Sequence, residues 1–379
     1  MGHYGILLVS TTKEVIALKK LRGTAVYCGI GASIEAIEEH LAQAAKVGIN
    51  AVFTSLQLPE SNKEELLRDF PRMAEIAHRY GMIVDSDVGG RSAKLFGLDL
   101  HDFAAFKQLG VDYVRLDYGY TDEQTAEASH NKEGLTIELN ASSKVTGEWL
   151  AKLISLGIDR DRVHFCHNYY PMRYTGLTVE QMVERNSIIH SHGFRVGGFL
   201  AAQSHHRMAC GLGLPTLERH RNMSVFTAAQ EAFLLGLDDL FFGDDFADAK
   251  ELKTLAEAEP GVVTLRIQPF VEGEIMDWLL GRELDQTQCG LEMILRSNFD
   301  HSVYPGDCDH TISFERHRGD VTICKSRLLR YKGEIQLARK DLPLDPDMGL
   351  IGRIVNEDLP LLETFRSSNP FRLVRYQPE

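Results

Sequence analysis

The chain has 379 residues, 44% hydrophobic and 25% charged, with a formal net charge of −13. One eight-stranded α/β barrel needs roughly 250 residues, so a second domain of about 120 is expected. The acidic balance argues against nucleic acid or an anionic membrane as the main partner, but a local arginine cluster leaves room for a small anionic ligand.

Six cysteines are scattered without a C-x-x-C pair. That pattern disfavours a zinc ribbon or redox dithiol and fits reduced thiols in a cytoplasmic enzyme. The opening MGHYGILLVSTTKEV lacks the basic region, apolar length and small-residue cleavage site of a signal peptide. No apolar run reaches the about 18 residues that a membrane span requires.

Residues 1–22 read as an N-terminal extension with no assigned function, 23–259 as a barrel and 260–379 as a β domain. Eight β-rich runs carry the barrel reading: 24–28 (TAVYC), 50–55 (NAVFTS), 82–87 (MIVDSD), 111–117 (VDYVRLD), 135–140 (LTIELN), 163–168 (VHFCHN), 194–199 (FRVGGF) and 239–245 (DLFFGDD). Stretches with helical apolar spacing separate most of them, at 66–77, 103–109, 147–156, 179–190 and 226–235. Ser33 reads as the N-cap of another, with Ala36 and Ile37 on the core side. Eight βα units in sequence predict a TIM-type (β/α)₈ barrel of the α/β class, with its site at the carboxyl ends of the strands. Carboxylates and amides crowd those ends.

A last helix over 248–258 closes the barrel, and Pro260-Gly261 marks the boundary. Strands are then expected at 262–267, 291–296, 309–314, 320–323 and 334–338, with a helix at 274–281. This predicts a small, mostly antiparallel β-barrel or sandwich.

Side chains alternate along a strand, so one parity faces the barrel interior. In the fourth run Val114 and Leu116 suit the helix side, turning Arg115 and Asp117 inward. In the fifth, Thr136, Glu138 and Asn140 turn inward, and the third places Asp85 and Asp87 there. Asp117 and Glu138 then stand near the mouth on neighbouring strands. Two nearby carboxylates with divergent pKa values suit acid/base or glycosyl-transfer chemistry. The plainer alternative is a buried Arg115–Asp117–Glu138 ion network.

After the sixth run, His167, Asn168, Tyr169 and Arg173 combine amide, aromatic and guanidinium groups suited to a sugar with an anionic substituent. The loop 203–221 reads as a binding lid and offers Glu218 as an alternative catalytic carboxylate. Asp85, Glu138, His164, His167 and Asp244 would suit a divalent metal in an isomerase, yet no H-x-H or H-E-x-x-H pair supports one. No lysine ends a strand, which disfavours a Schiff-base aldolase. In the β domain Arg296 reads either as a solvated charge or as a grip for phosphate or carboxylate.

Several motifs together resemble the 6-phospho-N-acetylmuramidase family of the MupG type, formerly an uncharacterised "outer surface protein" group. They are VFTSLQ at 52–57, RLDYGY at 115–120, IELNAS at 137–142, HNYYPMRYTGL at 167–177, GLPTLERHRN at 213–222 and YKGEIQ at 331–336. The resemblance runs from Thr24 onward and implies a TIM-type barrel followed by a cyclophilin-like β domain. It also implies hydrolysis of the β-1,4 bond of 6-phospho-N-acetylmuramyl-N-acetylglucosamine in cytoplasmic cell-wall recycling. Strand parity, rather than the resemblance, makes Asp117 and Glu138 the expected catalytic carboxylates, with Glu218 as substitute. Asp85, Arg115, Asn140, His167, Asn168, Tyr169, Arg173 and Arg296 would bind substrate. No metal, cofactor, nucleic acid or membrane is expected, and a homodimer is allowed. The competing readings are a metal-dependent sugar-phosphate isomerase or epimerase and a non-enzymatic sugar-phosphate-binding protein.

Overall fold

Alternating side chains and capped helices build the first part of the chain. The computed structural model describes residues 20–116, 119–143, 145–208, 210–287, 292–298, 300–365 and 369–378. Eight parallel strands close a barrel in sequential order: β1 (Arg22–Ala25), β2 (Ala51–Ser55), β3 (Ile83–Val88), β4 (Tyr113–Leu116), β5 (Thr136–Asn140), β6 (Val163–Cys166), β7 (Arg195–Leu200) and β8 (Asp239–Asp245). The first strand begins at Arg22, earlier than expected, because Leu21 is already tied in by its N–H on Asp239 Oδ1 at 2.7 Å. Residues 1–19 of the expected extension lie outside the described residues.

The helix Ile34–Val47 starts where Ser33 Oγ accepts the Ala36 N–H. Its buried stripe is Ile34, Ile37, His40, Leu41 and Ala44, so Ala36 faces solvent rather than the core. Spacings of three and four from Ile34 set that stripe, and Ala36 falls off it. Thr121, Thr178 and Asp248 each complete a capping box on a later helix. Helices Gly90–Phe96 and Asp122–Ala128, too short to show a period, were not expected.

The second part is a mixed sheet of seven strands: β9 (Val263–Pro269), β10 (Glu283–Leu284), β11 (Ile294–Arg296), β12 (Asp320–Cys324), β13 (Ile335–Ala338), β14 (Met348–Ile354) and β15 (Phe371–Arg375). Their order is β10-β15-β9-β14-β12-β13-β11, and only β15 with β9 pairs in parallel. No strand forms over 309–314. There the Asp309 N–H turns back onto Asp307 Oδ1, and its carboxylate caps the Ser326 N–H at 2.8 Å.

One barrel helix, Val225–Leu234, holds this sheet with three polar residues on a single face. Thr227 Oγ1 donates to Asp358 Oδ1 at 2.8 Å, Gln230 exchanges two bonds with the Thr264 backbone, and Glu231 accepts from Thr364 Oγ1 at 2.7 Å. Among the described residues no helix is long and apolar enough to cross a membrane.

Candidate active site

The barrel interior divides by residue type. Tyr27, Phe53, Phe199 and Phe241 from β2, β7, β8 and the residues after β1 pack together with Ala25, Ala51 and Cys166. Phe53 meets Phe199 edge-on at 4.8 Å, and Tyr169 closes over both from the loop after β6. Gly23 is required here, since a Cβ would come within 2.0 Å of the Phe241 ring.

The opposite side, from β3 to β6, is charged. Arg115 Nη1 donates to Glu138 Oε1 at 2.7 Å, and Glu138 Oε2 meets His164 Nδ1 at 2.8 Å. His164 Nε2 then reaches across β7 to Asp239 Oδ2 on β8 at 3.2 Å. Gly197 on β7 makes room, because a Cβ there would stand 3.1 Å from His164 Cε1. Arg195 ends the chain of charges with Nη2 on Asp239 Oδ1 at 2.6 Å. Arg115, Glu138 and Asp85 thus turn inward, as alternation predicts.

Burial sets the protonation of this cluster. Burial alone would raise the Glu138 pKa, but hydrogen bonding from His164 and the charge of Arg115 outweigh it and hold the carboxylate ionised. Burial alone would lower His164, yet its bonds to Asp239 and Glu138 raise it to about 10. Asp85 goes the other way: burial, then the Glu138 charge beside it, lift it well above the usual carboxylate range. Among the described residues neither Asp85 oxygen has a hydrogen-bond partner, which fits a buried carboxyl kept neutral.

At the mouth, Asn168 Oδ1 accepts from Arg115 Nη2 at 2.6 Å and from Asn140 Nδ2 at 3.1 Å. Ser142 Oγ accepts the Asn168 N–H at 2.9 Å, so both amides are fixed from below. Asn140, Asn168 and Tyr169 are half-buried, and Asp87 is also half-buried. Asp117, the residue after β4, lies outside the described residues.

The remaining expected residues are placed elsewhere. His167 is fully buried between Asn186 Oδ1 at 2.9 Å and Ser142 Oγ at 3.2 Å, and burial lowers its pKa to about 4. It is a neutral brace beneath the mouth. Glu218 accepts the Tyr174 and Gly176 N–H groups and a two-pronged bond from Arg221. The Arg221 bond, with those backbone donors, lowers its pKa to about 2, so it holds a loop and keeps no proton to give. That loop carries Tyr174 at φ 65 with its side chain exposed. Arg173 and Tyr174 line a cavity of about 500 Å³ shared with Asn356, Glu357 and Pro360 of the second part. Arg296, on β11, is paired by both prongs to Glu334 at 2.7 and 2.8 Å.

The divalent-metal set considered from sequence does not converge. Asp244 is spent on the backbone N–H groups of Ala202, Arg207 and Leu214, and His167 turns away from Glu138 onto Asn186. Sequence reasoning passed over Tyr27 and the site part of Arg207. Arg207 rests 4.6 Å from the Tyr27 ring centroid and 5.7 Å from that of Tyr169. Nothing periodic in the loop 203–213 signals this; only the strand-end position of Tyr27 hinted at the mouth.

Comparison with solved structures gives two full-length likenesses. One is an uncharacterized B. cereus protein at 26% identity and TM-score 0.80, covering 94% of this chain and 99% of that one. The other is a conserved protein of unknown function from Enterococcus faecalis at 28% identity and TM-score 0.69, covering 94% and 96%. No curated protein matches the chain. Family models described as 6-phospho-N-acetylmuramidase match both parts, the N-terminal one over residues 22–257 and the C-terminal one over 291–374. The chain therefore belongs to the 6-phospho-N-acetylmuramidase family.

Proposed function

We propose that the protein is a cytoplasmic glycoside hydrolase that cleaves the β-1,4 bond of 6-phospho-N-acetylmuramyl-N-acetylglucosamine during cell-wall recycling. Family membership supports the reaction, and one observation on the barrel carries it. A rigid, charge-balanced wall on β3–β6 faces an aromatic wall, and amides stand between them at the mouth. The half-buried Tyr169 ring, backed by that aromatic wall, suits the apolar side of a pyranose, while Asn140 and Asn168 suit its hydroxyl and acetamido groups.

Asp117 is the proposed proton donor, placed by sequence one residue beyond β4. Glu138 is the ionised partner in this reading. Being fully buried, it acts through Arg115 and Asn168 rather than on the sugar, so it is a positioning residue. Asp87, opposite Arg115 in the β3–β4 register and half-buried, is the carboxylate proposed to face the glycosidic bond with Asp117. Glu218 keeps the Tyr174 loop in place.

The test is incubation with the phosphorylated disaccharide, with and without EDTA, reading products by mass. Two monosaccharides in equal amounts are expected in both arms. An intact disaccharide would end the reading, and an isomerised product that needs the EDTA-free arm would favour the isomerase. Asp117→Asn should lower turnover by ~10²–10⁴ if a proton transfer is lost.

A further inference from the structure

Three arginines are buried around the mouth, and two of them are saturated. Arg115 spends both terminal nitrogens on Glu138, the Cys166 carbonyl and Asn168. Arg221 binds Glu218 and the carbonyls of Tyr170, Met172, Leu212 and Gly213. Arg207 differs. Among the described residues its guanidinium has one partner, Glu60 Oε1 at 3.1 Å from Nη1. Its Nε is buried with no acceptor at all.

A buried guanidinium left this incomplete is costly unless something else completes it. Its Cζ lies over the Tyr27 and Tyr169 rings at 4.6 and 5.7 Å, which leaves the in-plane N–H edge as the route for an acceptor. The backbone behind it is rigid: Asp244 Oδ1 accepts the Arg207 N–H at 2.9 Å and Asp244 Oδ2 clamps Ala202 and Leu214. Glu60, by contrast, sits on the loop after β2 with a side chain 34% exposed. The other nearby acid, Asp245, is buried and faces His205 Nε2 at 3.4 Å.

We propose that Arg207 is the specificity-determining residue for the anionic substituent of the substrate, taking phosphate or carboxylate oxygens in the place Glu60 now holds. The inference rests on the hydrolase reading and adds to it which residue reads the charge. Glu60 is then an internal competitor that the ligand displaces, and Tyr27 and Tyr169 hold the fork edge-on to the sugar.

The experiment compares wild type with Arg207→Lys, Arg207→Ala and Glu60→Gln on three disaccharides: phosphorylated, dephosphorylated, and phosphorylated without the lactyl group. Binding is read by calorimetry beside kcat and KM, and folding by thermal melts. Arg207→Lys keeps the charge and removes the fork, so KM for the phosphorylated disaccharide should rise ~10–100-fold with kcat little changed. Glu60→Gln should lower that KM several-fold, which a purely structural ion pair would not do. A preference for phosphate that collapses in Arg207→Lys assigns the phosphate; a preference for the lactyl group that collapses assigns the carboxylate. Unchanged KM in a folded Arg207→Lys, or a raised KM in Glu60→Gln, overturns the proposal. Should wild type cleave none of the three, the hydrolase reading fails by itself. Binding of the phosphorylated disaccharide that depends on Arg207 would then keep the inference, and binding that is absent or independent of Arg207 would remove it.

Discussion

The two walls of the barrel interior solve the same packing problem with opposite chemistry. On the β1, β2, β7 and β8 side, Phe53, Phe199 and Phe241 fill the space with apolar contact, which needs no partner beyond close fit. On the β3–β6 side, Arg115, Glu138 and His164, joined by Asp239 from β8, fill it with charges that are tolerable only as a complete set. An aromatic wall tolerates small losses in proportion to volume, whereas a charged wall fails when one member goes. The second arrangement adds little stability for its cost, but it holds Asn168 and Arg115 in one geometry at the mouth.

Single substitutions in each wall break the comparison most strongly. Phe199→Ala should cost ~3–5 kcal/mol through the cavity it leaves. Glu138→Gln should cost a similar ~3–5 kcal/mol, because Arg115 and His164 lose their shared acceptor. Urea unfolding at several pH values separates the two mechanisms. The Glu138→Gln deficit should shrink as pH rises toward 10, while that of Phe199→Ala stays constant. A pH-independent deficit in both would contradict the charged-wall account.

The histidines sharpen the contrast further, with smaller effects. His164 has its pKa raised from 6.5 to about 10. Its stabilising charge is complete below pH 6.5, declines above it and is gone once pH passes about 10. Burial lowers His167 and His40 from 6.5 to about 4. Protons then bind the unfolded chain first, so stability present above pH 6.5 is lost as pH falls toward 4. His164→Gln should flatten the alkaline limb of a stability profile and leave the acid limb intact. His167→Asn should do the reverse. Melting curves across pH 4–10 decide it.

The smallest effect belongs to neither wall. Tyr174→Gly relieves a left-handed backbone while freeing the unfolded chain, so stability should move by no more than about 1 kcal/mol. A loss of several kcal/mol would mean that the Tyr174 ring packs against something essential.

Much of the fold was readable before any coordinate. Alternation in VDYVRLD and LTIELN is strong enough that Arg115 and Glu138 could be turned inward correctly. The second sheet was harder. Strand β14, where no strand was expected, contains Gly349 and Gly352, and glycine inside a strand weakens its pattern. In the fold they are glycines for packing, since a Cβ at Gly352 would meet Ile267 at 2.6 Å. Strand β15 pairs in parallel with β9, a contact across about a hundred residues that no local pattern announces. Carboxylates at strand ends were legible as a group, but their roles were not. Glu218 and Glu138 look alike in sequence, and only their donors separate a loop clamp from a buried counter-ion.

Sequence alone determined the order of βα units and which strand faces meet the interior, because periods of two and of 3.6 are local and repeat. Tertiary structure decided which charges are shared, which acid stays neutral and which arginine is left with a free edge. Those properties depend on burial and on neighbours brought together from distant strands, and a linear pattern carries neither distance nor dielectric.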